Sequence, residues 1–308
     1  MKFAFVFPGQ GSQSVGMMAN YGEAARVVFD EASAALGQDL WALVAEGPVD
    51  ALNQTVNTQP VMLAAGVAAY RLWLAQGGPA PALMAGHSLG EYTALVCAGA
   101  LDFADAVRLV RLRAEAMQSA VPEGVGAMAA VLGMDDAAVM AVCAEAAQGE
   151  VLEAVNFNST GQVVIAGHKA AVDRGCALAK EKGAKRALPL PVSVPSRCAL
   201  MKPAAEKLLA ALAGIEVKSP AIPVLHNADV AGHGDPAAIR DALARQLYSP
   251  VRWVETVVAM AAQGVELIAE CGPGKVLAGL NKRIVEVPTL AIIDGTSLAE
   301  VLARVKAA

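Results

Sequence analysis

The chain has no apolar run long enough to span a bilayer, although 56% of its 308 residues are hydrophobic. Alanine supplies much of that fraction, which favours helices and close packing over a membrane role. Positive charge is in short supply: 24 Lys and Arg face 29 Asp and Glu, a net charge of −5, without the basic bias of a nucleic-acid binder. The five cysteines, Cys97, Cys143, Cys176, Cys198 and Cys271, are odd in number and widely spaced. No C-x-x-C pair occurs, which argues against both a disulfide framework and a zinc or other metal site. Reduced thiols and a cytoplasmic location are the simpler expectation. Repeats and low-complexity tracts are absent apart from the alanine bias. The opening run Phe3-Ala4-Phe5-Val6-Phe7, stopped by Pro8, is too short for a signal-peptide core and reads as a first strand. With only 17% charged residues the chain is globular, not disordered, and long enough to bury a large core.

Residues 1 to about 120 alternate short apolar runs with amphipathic helical stretches, the pattern of a parallel sheet covered by helices. Residues 121–191 change character. The pattern predicts strand 126–132, helix 136–148, strand 152–157, a turn at Asn158-Ser159-Thr160-Gly161, strand 162–166, helix 169–182 and strand 185–190. That order is β-α-β-β-α-β, a ferredoxin-like unit. Pro122, Pro189, Pro191 and Pro195 are placed to act as hinges. The α/β pattern then resumes, with short buried strands at Val224-Leu225, Leu267-Ile268-Ala269 and 290–293. The expected architecture is an α/β parallel-sheet core (1–120 and 192–308) carrying an inserted small subdomain (121–191). Its natural ligand site is the cleft between them.

Gly86-His87-Ser88-Leu89-Gly90 lies between an apolar strand-like segment and a helix-forming one. A G-x-S-x-G in that context is a nucleophile elbow, with Ser88 exposed at a helix N-terminus. The backbone N–H of Leu89 is then one oxyanion donor. The flexible Gly9-Gln10-Gly11-Ser12-Gln13 loop, directly after the first strand, is the obvious source of the second. It lacks the G-x-G-x-x-G and G-K-[ST] of phosphate-binding loops.

These segments, with Glu270-Cys271-Gly272-Pro273-Gly274, Asn156-Phe157-Asn158, 161–167 and 191–196, resemble the malonyl-CoA:acyl carrier protein transacylases of bacterial fatty acid synthesis. The resemblance runs in order over essentially the whole chain. It implies an α/β-hydrolase-like core with a ferredoxin-like insert, a monomer, and no cofactor beyond the CoA thioester substrate. The implied cycle is ping-pong: Ser88 takes malonyl from malonyl-CoA as an ester and gives it to the phosphopantetheine thiol of acyl carrier protein. Gln10 and Leu89 match the oxyanion-hole residues, Arg113 the arginine that pairs with malonate's free carboxylate, and Gln246 the residue whose carbonyl orients the base. A planar guanidinium suits that carboxylate because it donates two parallel hydrogen bonds. Arg108 and Arg111 read as a solvated helix face.

At position 197 the chain departs from the family motif. Where the motif continues Pro-Ser-His, this chain has Pro195-Ser196-Arg197. An arginine cannot take the serine's proton at physiological pH, so transfer is expected to be strongly impaired. No other histidine is an obvious substitute: the side chain of His87 should diverge from Ser88, His168 starts a helix, and His226 and His233 lie near loops. One alternative is a catalytically retired scaffold that docks carrier protein through the basic cluster Lys180, Lys182, Lys185 and Arg186. A serine esterase or thioesterase is the other, but it lacks an H-G-G-G loop and a late histidine.

Overall fold

A computed structural model describes residues 1–192 and 194–307; Ser193, inside the 191–196 motif, lies outside the described residues. In chain order the strands are β1 (Phe3–Phe7), β2 (Leu83–Gly86), β3 (Gly126–Leu132), β4 (Leu152–Ser159), β5 (Gln162–His168), β6 (Arg186–Pro189), β7 (Val224–Leu225), β8 (Leu267–Cys271) and β9 (Thr289–Ile292). They form two sheets: a five-stranded one ordered β7-β2-β1-β8-β9 and a four-stranded one ordered β4-β5-β3-β6. All pairs of the first are parallel, and all pairs of the second are antiparallel.

The interior strands β1 and β2 of the large sheet are continuously apolar because helices cover both faces. Every residue of β1 and β2 is buried. The helix Thr55–Ala75 packs its aromatic residues against β1, with Trp73 and Phe5 centroids 5.1 Å apart in an edge-on pair. Although long and buried, it is not membrane-like: among the described residues no helix is long and apolar enough to cross a bilayer.

The small sheet has the ferredoxin-like order, with helices Asp136–Ala147 and Lys169–Glu181 packed on its own separate apolar cluster. Its elements fall close to the predicted ranges, with two differences. The hairpin is tighter than expected, because β4 runs through Ser159 and only Thr160-Gly161 remain to turn the chain. Pro189 is also no hinge: it ends β6, paired in register with Ala129. A proline fits there because β6 is an edge strand and its missing N–H breaks no ladder.

Backbone bonds tie β4 of the small sheet to the segment before the helix Trp253–Ala262. Phe157 N–H donates to Val251 O at 3.0 Å, and Val251 N–H donates to Val155 O at 2.9 Å. Two register shifts in the β4–β5 pair, at Ala154/Asn156 and Phe157/Ser159, bracket this contact.

Candidate active site

In the parallel sheet, adjacent strands deliver their following loops to the same edge. The neighbours β7, β2 and β1 end at Leu225, Gly86 and Phe7, so Asn227, Ser88 and Gln10 converge there. The elbow is sharp. A Cβ on Gly86 would lie 1.8 Å from the carbonyl carbon of Gly90, so position 86 must be glycine. Ser88 itself has φ of 58°, a left-handed conformation that non-glycine residues seldom adopt. The loop after β1 packs on this turn, since a Cβ on Gly9 would come within 2.5 Å of His87 O.

Hydrogen bonds hold the strained turn in place. Ser88 N–H donates to Asn227 Oδ1 at 2.8 Å, and Asn227 Nδ2 donates to Gly86 O at 2.7 Å. Glu91 N–H closes onto Ser88 O at 3.1 Å, and Gly90 N–H onto His87 O at 2.9 Å. The Leu89 N–H stands outside these bonds. Gln10 lines the same cavity as Ser88 and turns its amide to Thr55 Oγ1 at 3.4 Å.

Arg113 projects from the buried face of the helix Phe103–Ser119, in line with Val110 and Met117. It is 1% exposed and donates to Gln59 Oε1 at 2.8 Å and to Gln246 Oε1 at 3.0 Å, with its guanidinium over the Tyr92 ring. Burial lowers its pKa. Its neighbours differ from one another. Arg108 is the solvated residue expected, paired with Asp105, whereas Arg111 is half-buried and bonded to Gln38 and Asn57. The solvated-face reading therefore fails for Arg111, which faces an adjoining segment.

Arg197 reaches Ser88. Its Nη2 donates to Ser88 Oγ, and its Nη1 donates to the Gln246 carbonyl at 2.8 Å. The residue has φ of 69°, and its backbone N–H is held by Leu247 O at 3.1 Å. Burial, reinforced by the charge of Arg113, pushes its pKa down to about 9. Gln246 joins these groups. Its Nε2 donates to Ser88 O at 2.9 Å and to Glu91 Oε2 at 3.0 Å. As the last residue of the helix Pro236–Gln246, it offers its carbonyl at the negative end of the helix dipole, where a cation is favoured.

Each histidine has a defined setting. His87 Nε2 donates to Asn158 Oδ1 at 2.8 Å, its ring packs on Trp253, and burial lowers its pKa to about 4. His168 precedes the helix Lys169–Glu181 but does not cap it; its Nδ1 accepts from Val151 N–H at 2.9 Å. His226 is fully buried, with Nδ1 2.7 Å from Glu91 Oε1, and stacks near His233. Loop placement did not reveal the buried His226–Glu91 pair. Asn227, Glu91 and Gln59 carry no role in the sequence reading, and Asn158 enters it only as part of a motif and a turn. Only Glu91 carried a signal, as an acidic residue in the first turn of an otherwise buried helix.

A cavity of about 160 Å³ opens onto Ser88, His87, Gln10 and Arg197 from the large unit and onto Met128 and Asn156 from the small one. Ser88, Gln10 and Arg197 thus share one cavity, with Arg113 buried behind it on the Gln246 side chain. No group of three or more His, Cys, Asp or Glu suited to a metal occurs among the described residues.

Comparisons with known proteins agree with this arrangement. The family profile described as "Acyl transferase domain" matches residues 4–301. The malonyl CoA-acyl carrier protein transacylase of Escherichia coli (strain K12) is 62% identical over 299 residues, covering 96% of this chain and 97% of that protein. The acyl-carrier-protein S-malonyltransferase structure from Burkholderia pseudomallei 1710b superposes with a TM-score of 0.97 at 61% identity, covering 98% of this chain and 99% of that one. A malonyl-transacylase solved in complex with its type II PKS acyl-carrier protein has a TM-score of 0.97 at 56% identity, covering 99% of this chain and all of that one. The chain is an acyltransferase and belongs to the acyl transferase domain family, among its malonyl-CoA:acyl carrier protein transacylases.

Proposed function

We propose that this chain transfers malonyl from malonyl-CoA to the phosphopantetheine thiol of acyl carrier protein through an ester on Ser88, and that Arg197 makes both half-reactions slow. Ser88 Oγ attacks the thioester carbonyl, the C–O bond forms, and the C–S bond breaks to release CoA. The N–H groups of Leu89 and Gln10 receive the oxyanion, and Arg113 takes the free carboxylate. The carrier-protein thiol then reverses the chemistry. Each half-reaction needs a proton acceptor at the nucleophile and a donor for the leaving group.

The contact of Arg197 with Ser88 carries the impairment. A guanidinium donates into the Oγ lone pair and leaves the hydroxyl proton without an acceptor. Although burial lowers its pKa to about 9, Arg197 remains a cation at pH 7. His87 does not substitute, because its Nε2 is committed to Asn158 and its pKa of about 4 makes it a weak base.

The surrounding assignments belong to the same reading: a large unit from 1–120 and 192–308, a small unit from 121–191, a cytoplasmic monomer, and no cofactor other than the thioester substrate. Lys185 and Arg186 at the start of β6 border a cavity with Arg283, a basic surface suited to an acidic carrier protein.

Intact-protein mass followed after mixing with malonyl-CoA, with and without carrier protein, tests the proposal. The expected result is a Ser88-dependent malonyl adduct that forms only on long incubation and is discharged slowly by the carrier. A prompt adduct would refute the impairment. No adduct at any time, with carrier binding intact, would favour the retired scaffold.

A further inference from the structure

The base of the cleft holds two buried guanidiniums whose partners are all uncharged. Arg113 bonds the side-chain oxygens of Gln59 and Gln246; Arg197 bonds the Gln246 carbonyl and the Ser88 hydroxyl. Both cations touch the same glutamine, so they stand within the span of one residue. The nearby carboxylate is already engaged: Glu91 gives its oxygens to His226, Asn227 N–H and Gln246 Nε2. Burying two cations beside a single carboxylate leaves one charge uncompensated, which is costly, and a further anion offsets that cost.

The two guanidiniums are not equivalent. Arg113 is closed in, and its Nε is buried without a partner. Arg197 forms part of the wall of the 160 Å³ cavity, and its contacts with Gln246 and Ser88 use two of its five N–H donors. The amides of Gln10 and Asn156 line the same space. This volume suits an acid of a few carbons.

We propose that the cavity is a binding site for a small carboxylate, held non-covalently on the free N–H edge of Arg197 and attracted further by the charge of Arg113. The site needs no acyl transfer, because Arg197 and not Ser88 is the binding group. It deepens the transacylase reading in one respect. If the carboxylate is that of malonyl-CoA, Arg197 competes with Arg113 for it and draws the thioester carbonyl away from Ser88.

Calorimetric titration of the full chain carrying Ser88→Ala, so that no ester forms, tests the site. Sodium malonate and acetate are titrated at ionic strength fixed with chloride, then malonyl-CoA and acetyl-CoA, each with and without Arg197→Gln. A charge-assisted carboxylate contact predicts saturable binding that weakens by about tenfold or more on loss of the guanidinium. Saturable free malonate binding that depends on Arg197 identifies the free acid as ligand. A malonyl-CoA preference over acetyl-CoA that falls by about tenfold with Arg197→Gln, leaving only the part owed to Arg113, identifies the thioester's carboxylate. Independence from Arg197 in both arms, or no saturable binding in either, overturns the proposal. Arg197→His serves as the second variant should Arg197→Gln fail to fold, since it also removes the permanent cation. Because no arm reads acyl transfer, failure of the transacylase reading leaves this test unaffected.

Discussion

Replacing Arg197 by His should convert a slow acyl transfer into a fast one, and the structure sets the scale. Burial lowers the Arg197 pKa to about 9, which still leaves it a cation at pH 7 with no lone pair to offer. The bond from Nη2 to Ser88 Oγ also orients a donor where an acceptor is needed. A positioned general base contributes about a hundred- to ten-thousand-fold, or roughly 3 to 5 kcal/mol of barrier. A histidine tolerates the left-handed backbone at 197, where φ is 69°. Its ring N–H can take the Gln246 carbonyl that Arg197 Nη1 now holds, leaving the other nitrogen's lone pair for Ser88. Quenched-flow measurement of malonyl-Ser88 formation should therefore give Arg197→His a rate about a hundredfold or more above the parent. The pH profiles should differ as well. The parent's residual rate should show no imidazole inflection, whereas the histidine variant rises with pH and levels off near the ordinary imidazole range. A gain below about tenfold, or a histidine-variant profile without an imidazole inflection, would refute the assignment of the defect to the missing base.

Other substitutions probe the remaining parts of the site and fold. In the Arg197→His background, Arg113→Lys should cut the preference for malonyl-CoA over acetyl-CoA by about tenfold or more in kcat/KM, because an ammonium cannot copy a two-pronged carboxylate contact. Unchanged selectivity would remove Arg113 from substrate recognition. Asn227→Ala should destabilise the chain by about 1 to 3 kcal/mol in urea titration and slow Ser88 acylation, since it frees both the Ser88 N–H and the Gly86 carbonyl. Wild-type stability would show that the elbow holds its strained turn without this clamp. Burial raises the Glu270 pKa to about 7 despite the N–H groups of Leu277 and Ala278, so the folded state binds a proton that the unfolded state has released between about pH 4.5 and 7. The resulting stability is present below the unfolded value and lost as pH rises through 7, on the order of 3 kcal/mol. Glu270→Gln should flatten that part of the stability–pH curve; an unaltered slope would place the titration elsewhere.

Local chemistry made much of this protein legible in its sequence. The strand before Gly86 and the helix after it follow from a few adjacent residues, so Ser88 stands out as a nucleophile without tertiary information. The βαββαβ order is similarly local, carried by the alternation of apolar runs with helical stretches between 126 and 190. Arg113 could also have been found from pattern alone, as a charge on the buried stripe of its helix between Val110 and Met117. Chain folding decided the rest. Arg197 meets Ser88 across 109 positions, Asn227 clamps it across 139 and Gln246 across 158, and no spacing rule links residues so far apart. These partners come together because β7, β2 and β1 end side by side, and because the helix Pro236–Gln246 ends where its last carbonyl faces the cleft. Sequence could show that the expected base was an arginine. The fold determined that this arginine is buried on the serine's own oxygen beside a second cation, because the chain brings position 197 and the end of the helix Pro236–Gln246 to the same cleft.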